Sequence, residues 1–293
     1  MRIIVLGAAA GGGLPQWNCG CRNCDGARTG RLSAMTQSSI AVSADGESWS
    51  ILNASPDIRV QLAATPALYP TGLRDMPLRS VLVTNGDIDH VAGLLTLRES
   101  QPFALFATPA IHATLAGNPM LAALRADLVA RQPVVLDESV EIAPGLTATL
   151  FAVPGKVPLY QEGAVVETGL MGENTVGVEL VANGRRALYI PGCADLPDWL
   201  TNRIAGADLL MFDGTLWEDD EMIRMGLGHK TGRRMGHMPA AGSIAALRDV
   251  PVERRVFVHM NNSNPLVDPA SPQTHEAEAG GWQVGRDGME ITL

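Results

Sequence analysis

Cys19, Cys21 and Cys24 stand within six residues in the form C-x-C-x-x-C, beside a glycine. Thiols this close rarely pair with one another as disulfides, but their thiolates are soft ligands that suit tetrahedral Zn²⁺. A structural zinc normally takes four ligands, so the fourth must come from elsewhere in the chain. Cys193 is one source, although its Pro191-Gly192 turn suggests a different location. The second cluster is Thr84-Asn85-Gly86-Asp87-Ile88-Asp89-His90. It leaves a buried-type strand and enters a helical pattern, which places side chains at the carboxyl edge of a sheet, where ligands bind. Adjacent Asp89 and His90 offer a metal one hard oxygen and one imidazole. The same pair also fits a helix-capping Asp and a surface His.

The elements that must position these residues alternate between strands and helices. Strands are expected at Arg2–Gly7, Ser38–Ser43, Trp49–Asn53, Arg79–Val83, Phe103–Ala107, Thr147–Val153, Val176–Val181, Arg186–Ile190, Leu209–Phe212 and Arg254–Val258. The turn Asp45-Gly46 joins the second and third. Helices are expected from Ser55-Pro56, over Val91–Glu99, Pro109–Ala116 and Pro239–Leu247, with Ser55 as a cap. Trp282–Val284 and Met289–Thr292 read as a closing hairpin. Several strands follow one another directly, which points to a mixed α/β sandwich rather than a doubly wound sheet. Lys156–Asn174 is rich in Gly and Pro and reads as a functional loop or lid. Gly7–Gly13 has the glycines of a dinucleotide-binding turn. No helix pattern follows the third glycine, so it reads instead as a tight loop passing close to a metal site.

The chain has 293 residues and 46% are hydrophobic, enough for a sizeable core, and 1–293 is read as one domain. The net charge of −9 argues against nucleic acid or an anionic membrane surface as the partner. No apolar run approaches the ~20 residues that span a bilayer. Ile3–Leu6 reads as a first strand rather than a signal peptide. Clustered cysteines favour a reducing compartment, hence a cytoplasmic location.

Position by position, Asn85 to His90 resembles the H-x-H-x-D-H signature of the metallo-β-lactamase superfamily, with Asn85 and Asp87 in place of its first two histidines. Val153-Pro154-Gly155-Lys156 resembles the segment that supplies a third histidine, here Lys156. Tyr189-Ile190-Pro191-Gly192-Cys193 resembles the strand ending in a bridging aspartate, here Cys193. Val256-Phe257-Val258-His259 resembles the strand carrying the last histidine. The resemblance implies an α/β fold, an αββα sandwich of two mixed sheets flanked by helices. It also implies that one metal position is lost, while Asp89, His90 and His259 survive for the other, with Asp213 as an added carboxylate. Two histidines with one or two carboxylates resemble the facial arrangement of non-haem Fe(II) oxygenases more than a paired-metal hydrolytic clamp.

The N-terminal Gly7–Cys24 run, Ser55–Arg59, Phe212–Trp217, Met235–Pro239 and His259-Met260-Asn261-Asn262-Ser263-Asn264-Pro265 are similar to the pyrroloquinoline quinone biosynthesis protein B family, nearly end to end. That resemblance implies a part in making the redox cofactor PQQ. It implies an iron-dependent oxygenase that hydroxylates the tyrosine ring of a peptide-derived Glu-Tyr intermediate. An older reading of the family is a carrier that helps export PQQ. A sister family of cyclic phosphodiesterases places a zinc-binding histidine where this chain has Asn262, which leaves the fourth zinc ligand open. The expected cofactors are a structural Zn²⁺ and an active-site Fe²⁺, with Zn²⁺ or Mn²⁺ as alternatives. The expected partners are a PQQ precursor or PQQ and other proteins of the pathway.

Asp87 can act as a general base or bind loop amides. His237 can transfer protons or serve a structural role at a helix start. Lys156 can hold a substrate carboxylate or lie solvated. Asn85 and Trp217 can line the substrate site, Trp217 by stacking or else by core packing. Arg224, Lys230, Arg233 and Arg234 form a basic stretch that would attract a carboxylated ligand.

Overall fold

The computed structural model describes residues 1–293. Fourteen strands form: β1 (Arg2–Gly7), β2 (Ser39–Ser43), β3 (Trp49–Leu52), β4 (Leu78–Leu82), β5 (Phe103–Ala107), β6 (Val129–Pro133), β7 (Ser139–Ala143), β8 (Leu146–Ala152), β9 (Val176–Ala182), β10 (Arg185–Ile190), β11 (Ala207–Asp213), β12 (Val252–Val258), β13 (Trp282–Val284) and β14 (Glu290–Thr292). They make two seven-stranded sheets, in the orders β14-β1-β2-β3-β4-β5-β6 and β13-β12-β11-β10-β9-β8-β7. Both sheets are mixed. β3 to β6 run parallel beside antiparallel β14, β1 and β2. β10 to β13 run parallel beside antiparallel β7, β8 and β9. The architecture is the expected sandwich of two mixed sheets flanked by helices.

The inner faces of both sheets contribute to one apolar core, with Tyr189, Phe151, Phe212 and Phe257 buried in it. Trp282 stacks on Phe257 at 4.0 Å between ring centroids. A second core, around Trp49, Ile58, Leu94 and Ile111, packs helices on the outer face of the first sheet. Residues buried on both faces explain why β4, β11 and β12 carry near-continuous apolar runs at their carboxyl ends. No helix is long and apolar enough to cross a membrane.

Three local expectations are corrected. The closing hairpin does not form, because β13 pairs with β12 and β14 pairs with β1 in the other sheet. The chain crosses between sheets at 285–288, where Gly285 N donates to Phe257 O and Gly288 N to Val5 O. The helix after Ser55 starts only at Ile58. Ser55 Oγ accepts from Asp57 N and donates to Gln61, and so caps nothing. The helix over 91–99 becomes a short α-turn, Ile88–Val91, and a 3₁₀ segment, Ala92–Arg98. There Gly93 N donates to Ala54 O, and a Cβ at Gly93 would lie 2.1 Å from Ser55 O.

The crossing is secured by Asp287, whose carboxylate accepts from Ala8 N at 3.0 Å, Thr36 N at 2.7 Å and Thr36 Oγ1 at 2.7 Å. Asp287→Ala strands these donors and is expected to lower stability by about 2–3 kcal/mol in urea unfolding. A loss too small to resolve would show that water replaces the carboxylate freely.

Candidate metal centres

Five strand ends of the two sheets converge on one cavity. The stretch after β4 brings Asn85, Asp87, Asp89 and His90, and the stretch after β8 brings Lys156. Thr215 follows β11 and His259 follows β12. The glycine loop after β1 closes the wall: a Cβ at Gly11 would stand 3.4 Å from Asp89 Oδ2. The cavity measures ≈ 320 Å³, and His237 and Lys230 also line it.

Ligand atoms of Asp89, His90 and His259 lie within 4.8 Å of one another, as the sequence leads one to expect. His90 is 1% exposed and neither of its ring nitrogens has a hydrogen-bond partner. A buried imidazole left like this costs free energy unless something outside the protein takes its lone pair. Burial pushes the His90 imidazole down to about 4, so it enters neutral, the form that binds metal.

His259 is held in an uncommon backbone conformation, φ 61°, and its ring is fixed by Thr215. Thr215 Oγ1 lies 2.6 Å from Asp213 Oδ1, so its proton goes to that carboxylate. The hydroxyl oxygen then accepts from His259 Nδ1 at 2.8 Å. This leaves the Nε2 lone pair facing Asp89 Oδ2 at 3.1 Å. Two electron-rich atoms at that distance need a cation between them, either a proton or a metal. Burial opposes charge on both residues. It is outweighed by His90 and His259 beside Asp89, which hold the carboxyl well below its usual range, and by the Asp89 carboxylate, which raises His259.

Asp213 lies with His237 and His259 in a second group of close ligand atoms. Its oxygens are taken, however. Oδ1 accepts from Thr215 N and Oγ1, and Oδ2 accepts from Cys193 N at 2.9 Å and His237 Nδ1 at 2.7 Å. Asp213 thus orients the ligands' neighbours rather than offering a free lone pair. Its hold on Nδ1 leaves His237 Nε2 as the ring's second nitrogen, in a residue that lines the cavity. Asp87 Oδ1 accepts from Leu159 N, and Asn85 Oδ1 accepts from Asp87 N. Lys156 pairs with Glu162 at 3.0 Å. Trp217 is 7% exposed and packs in the core, outside the cavity lining. The stacking expectation therefore gives way to the packing one. The segment from Lys156 does lie over the site, with Tyr160 OH donating to Gly86 O.

The cysteine cluster forms a second centre. Asn262 Nδ2 lies 3.2, 3.5 and 3.3 Å from the Sγ atoms of Cys19, Cys21 and Cys24. Around a tetrahedral zinc with bonds of about 2.3 Å to sulfur and 2.0 Å to oxygen, ligand atoms stand about 3.5 Å apart. The amide end of Asn262 thus occupies a fourth corner, and turning the amide over would present its oxygen. Asn23 Nδ2 holds the carbonyls of Asn262, Ser263 and Asn264. Cys193 is buried and stands outside this group of ligand atoms, its thiol donating to Asp195 O. All four cysteines are free thiols.

The model of the beta-lactamase superfamily domain matches residues 48–260. Coenzyme PQQ synthesis protein B of Ruegeria pomeroyi is 58% identical, with 100% of both chains covered. The chain belongs to the coenzyme PQQ synthesis protein B family. A crystal structure of Zn²⁺-bound PqqB from Methylobacterium extorquens matches with a TM-score of 0.98 at 55% identity, covering 100% of each chain. A diphosphatase of the PhnP family shares the fold, with a TM-score of 0.69 at 18% identity, covering 100% of this chain and 97% of its own.

In this member of the PqqB family, Thr215 is the residue that sequence reasoning passed over. It stands inside the Phe212–Trp217 run, but a threonine carries no ligand signature; only its neighbours Asp213 and His259 make it visible. Thr215→Val is expected to weaken metal affinity roughly 10–100-fold, measured by competition with a fluorescent chelator, while Thr215→Ser retains it. Equal affinity in all three proteins would show that His259 needs no such partner.

Proposed function

We propose that the chain serves coenzyme PQQ biosynthesis as a metal-dependent oxygenase that hydroxylates the tyrosine-derived ring of a Glu-Tyr intermediate. The observation that supports this most is the asymmetry of the cavity. One side holds a neutral imidazole without partners, a carboxylate and a second imidazole (His90, Asp89, His259). The other side has Asn85, Asp87 and Lys156 where a two-metal hydrolase needs histidines, and an ammonium–carboxylate pair lies there. Such a site suits one ion with open positions, not two bridged ions.

Asp89, His90 and His259 would hold the active-site metal, with Fe²⁺ as the proposed ion. When bound, iron supplies oxygen activation. Overall one atom of O₂ replaces a ring hydrogen as hydroxyl and the other leaves as water, with two electrons and two protons from an external reductant. Asp213 keeps the Nδ1 proton of His237 in place, so Nε2 can accept the phenol proton and return it. Asp87 keeps one carboxylate oxygen clear of Leu159 and can bind an amine or phenol. The segment from Lys156 covers the cavity and limits water. Cys19, Cys21, Cys24 and Asn262 would hold a structural Zn²⁺, in keeping with thiols maintained in a reducing cytoplasm. Other proteins of the pathway would deliver the substrate.

Anaerobically iron-loaded protein, given a tyrosine-derived substrate, a reductant and then air, is expected to consume O₂ and add 16 mass units per hydroxylation. His90→Ala should abolish both, and His237→Gln should slow them about 10²–10⁴-fold. Turnover of a chromogenic phosphodiester with Zn²⁺ or Mn²⁺, without oxygen uptake, would instead establish a hydrolase. Tight PQQ binding with neither activity would establish a carrier.

A further inference from the structure

The imidazole-poor side of the cavity is closed by an ion cluster drawn from two segments distant in the chain. Lys156 and Glu162 both lie on the covering segment after β8, and Arg234 lies in the short helix Gly232–Met235. Lys156 Nζ is 3.0 Å from Glu162 Oε1. Arg234 forks onto the same carboxylate, Nη2 to Oε2 at 3.1 Å and Nη1 to Oε1 at 3.4 Å. The Lys156 and Glu162 side chains are only 10% and 9% exposed. Arg234 first, then Lys156, holds the Glu162 carboxyl below its ordinary range. Lys230 lines the same cavity.

A buried ammonium needs a counter-ion, and leaving it alone is costly. Here the counter-ion comes from the segment with the least structure around the site. After Glu162 the chain runs through residues 163–169, nearly all exposed and without a strand or helix. A fork of guanidinium and a point-charge ammonium make the donor set that binds any carboxylate in two-pronged fashion. Glu162 supplies to this set the same group that a carboxylated ligand would supply.

We propose that Lys156 and Arg234 form a carboxylate-binding subsite, and that Glu162 occupies it as an internal stand-in which a carboxylated ligand displaces. This deepens the proposed function and rests on it for which carboxylate is bound. A carboxylate anchored there places the rest of the ligand in the cavity that Asp89, His90 and His259 line. Displaced Glu162 moves into solvent with its exposed segment.

Benzene-1,3,5-tricarboxylate, which chelates metal poorly, is the probe. Calorimetry on the metal-loaded full chain compares wild type, Glu162→Gln, Lys156→Met and Arg234→Met. Removing the competing charge in Glu162→Gln is expected to tighten binding about five- to tenfold, on the order of one ion pair. Lys156→Met and Arg234→Met are expected to weaken it by at least as much. In wild type, hydrogen exchange in residues 158–169 should rise when the probe binds. Unchanged or weaker binding by Glu162→Gln, or no change or added protection in 158–169, overturns the subsite. Neither readout uses oxygen or turnover. Failure here therefore leaves the oxygenase reading standing, and failure of that reading leaves this result intact.

Discussion

Two acceptors held 3.1 Å apart, Nε2 of buried His259 and Oδ2 of partly buried Asp89, set the terms for the rest of the structure. They repel one another unless a positive charge lies between or beside them. The neighbouring His90 adds a third lone pair with no hydrogen bond to satisfy it. A protein that merely needed a packed core would have filled this space with apolar groups at less cost. The arrangement becomes favourable once a cation joins the three residues.

The fold supplies the rigidity that such a site requires. Asp89 and His90 leave β4, while His259 leaves β12 in the opposite sheet, so the site spans the sandwich. Thr215 and Asp213 form a hydrogen-bonded bracket that fixes the His259 and His237 rings, which stack 5.2 Å apart. On the first sheet, Asn53, itself at φ 64°, accepts from Thr84 N at 2.9 Å and steadies the start of the ligand loop. Unfavourable backbone at His259 and Asn53 is kept because the surroundings determine it. Lys156, Glu162 and Arg234 balance charge on the cavity's other side, where the chain has no imidazoles to offer.

Much of this was legible in the sequence. Strand ends carrying Asp213 and His259, and the Asn85–His90 loop, announce themselves through apolar runs that stop at a polar residue. The cysteine spacing marks a chelate without any knowledge of the fold. The beta-hairpin expected at the C-terminus fails because period-two patterning identifies a strand but not its partner. β6 and β7 are edge strands, β6 mostly exposed and β7 interrupted by exposed Ser139 and Glu141, so they lack the apolar run that betrays the central ones. Asp213 reads as a ligand from its strand-end position, but only three dimensions show its oxygens committed to Thr215, Cys193 and His237. Glu162 and Thr215 carry no spacing signal; their roles need Arg234 and His259, which only the fold brings to them.

Anomalous diffraction at the iron edge, from crystals loaded anaerobically with Fe²⁺, tests the central claim most directly. One peak about 2.0–2.2 Å from a carboxylate oxygen of Asp89, a ring nitrogen of His90 and Nε2 of His259 is the predicted result. A peak seated among Asn85, Asp87 and Lys156, or a pair of peaks bridging the two sides, would contradict it.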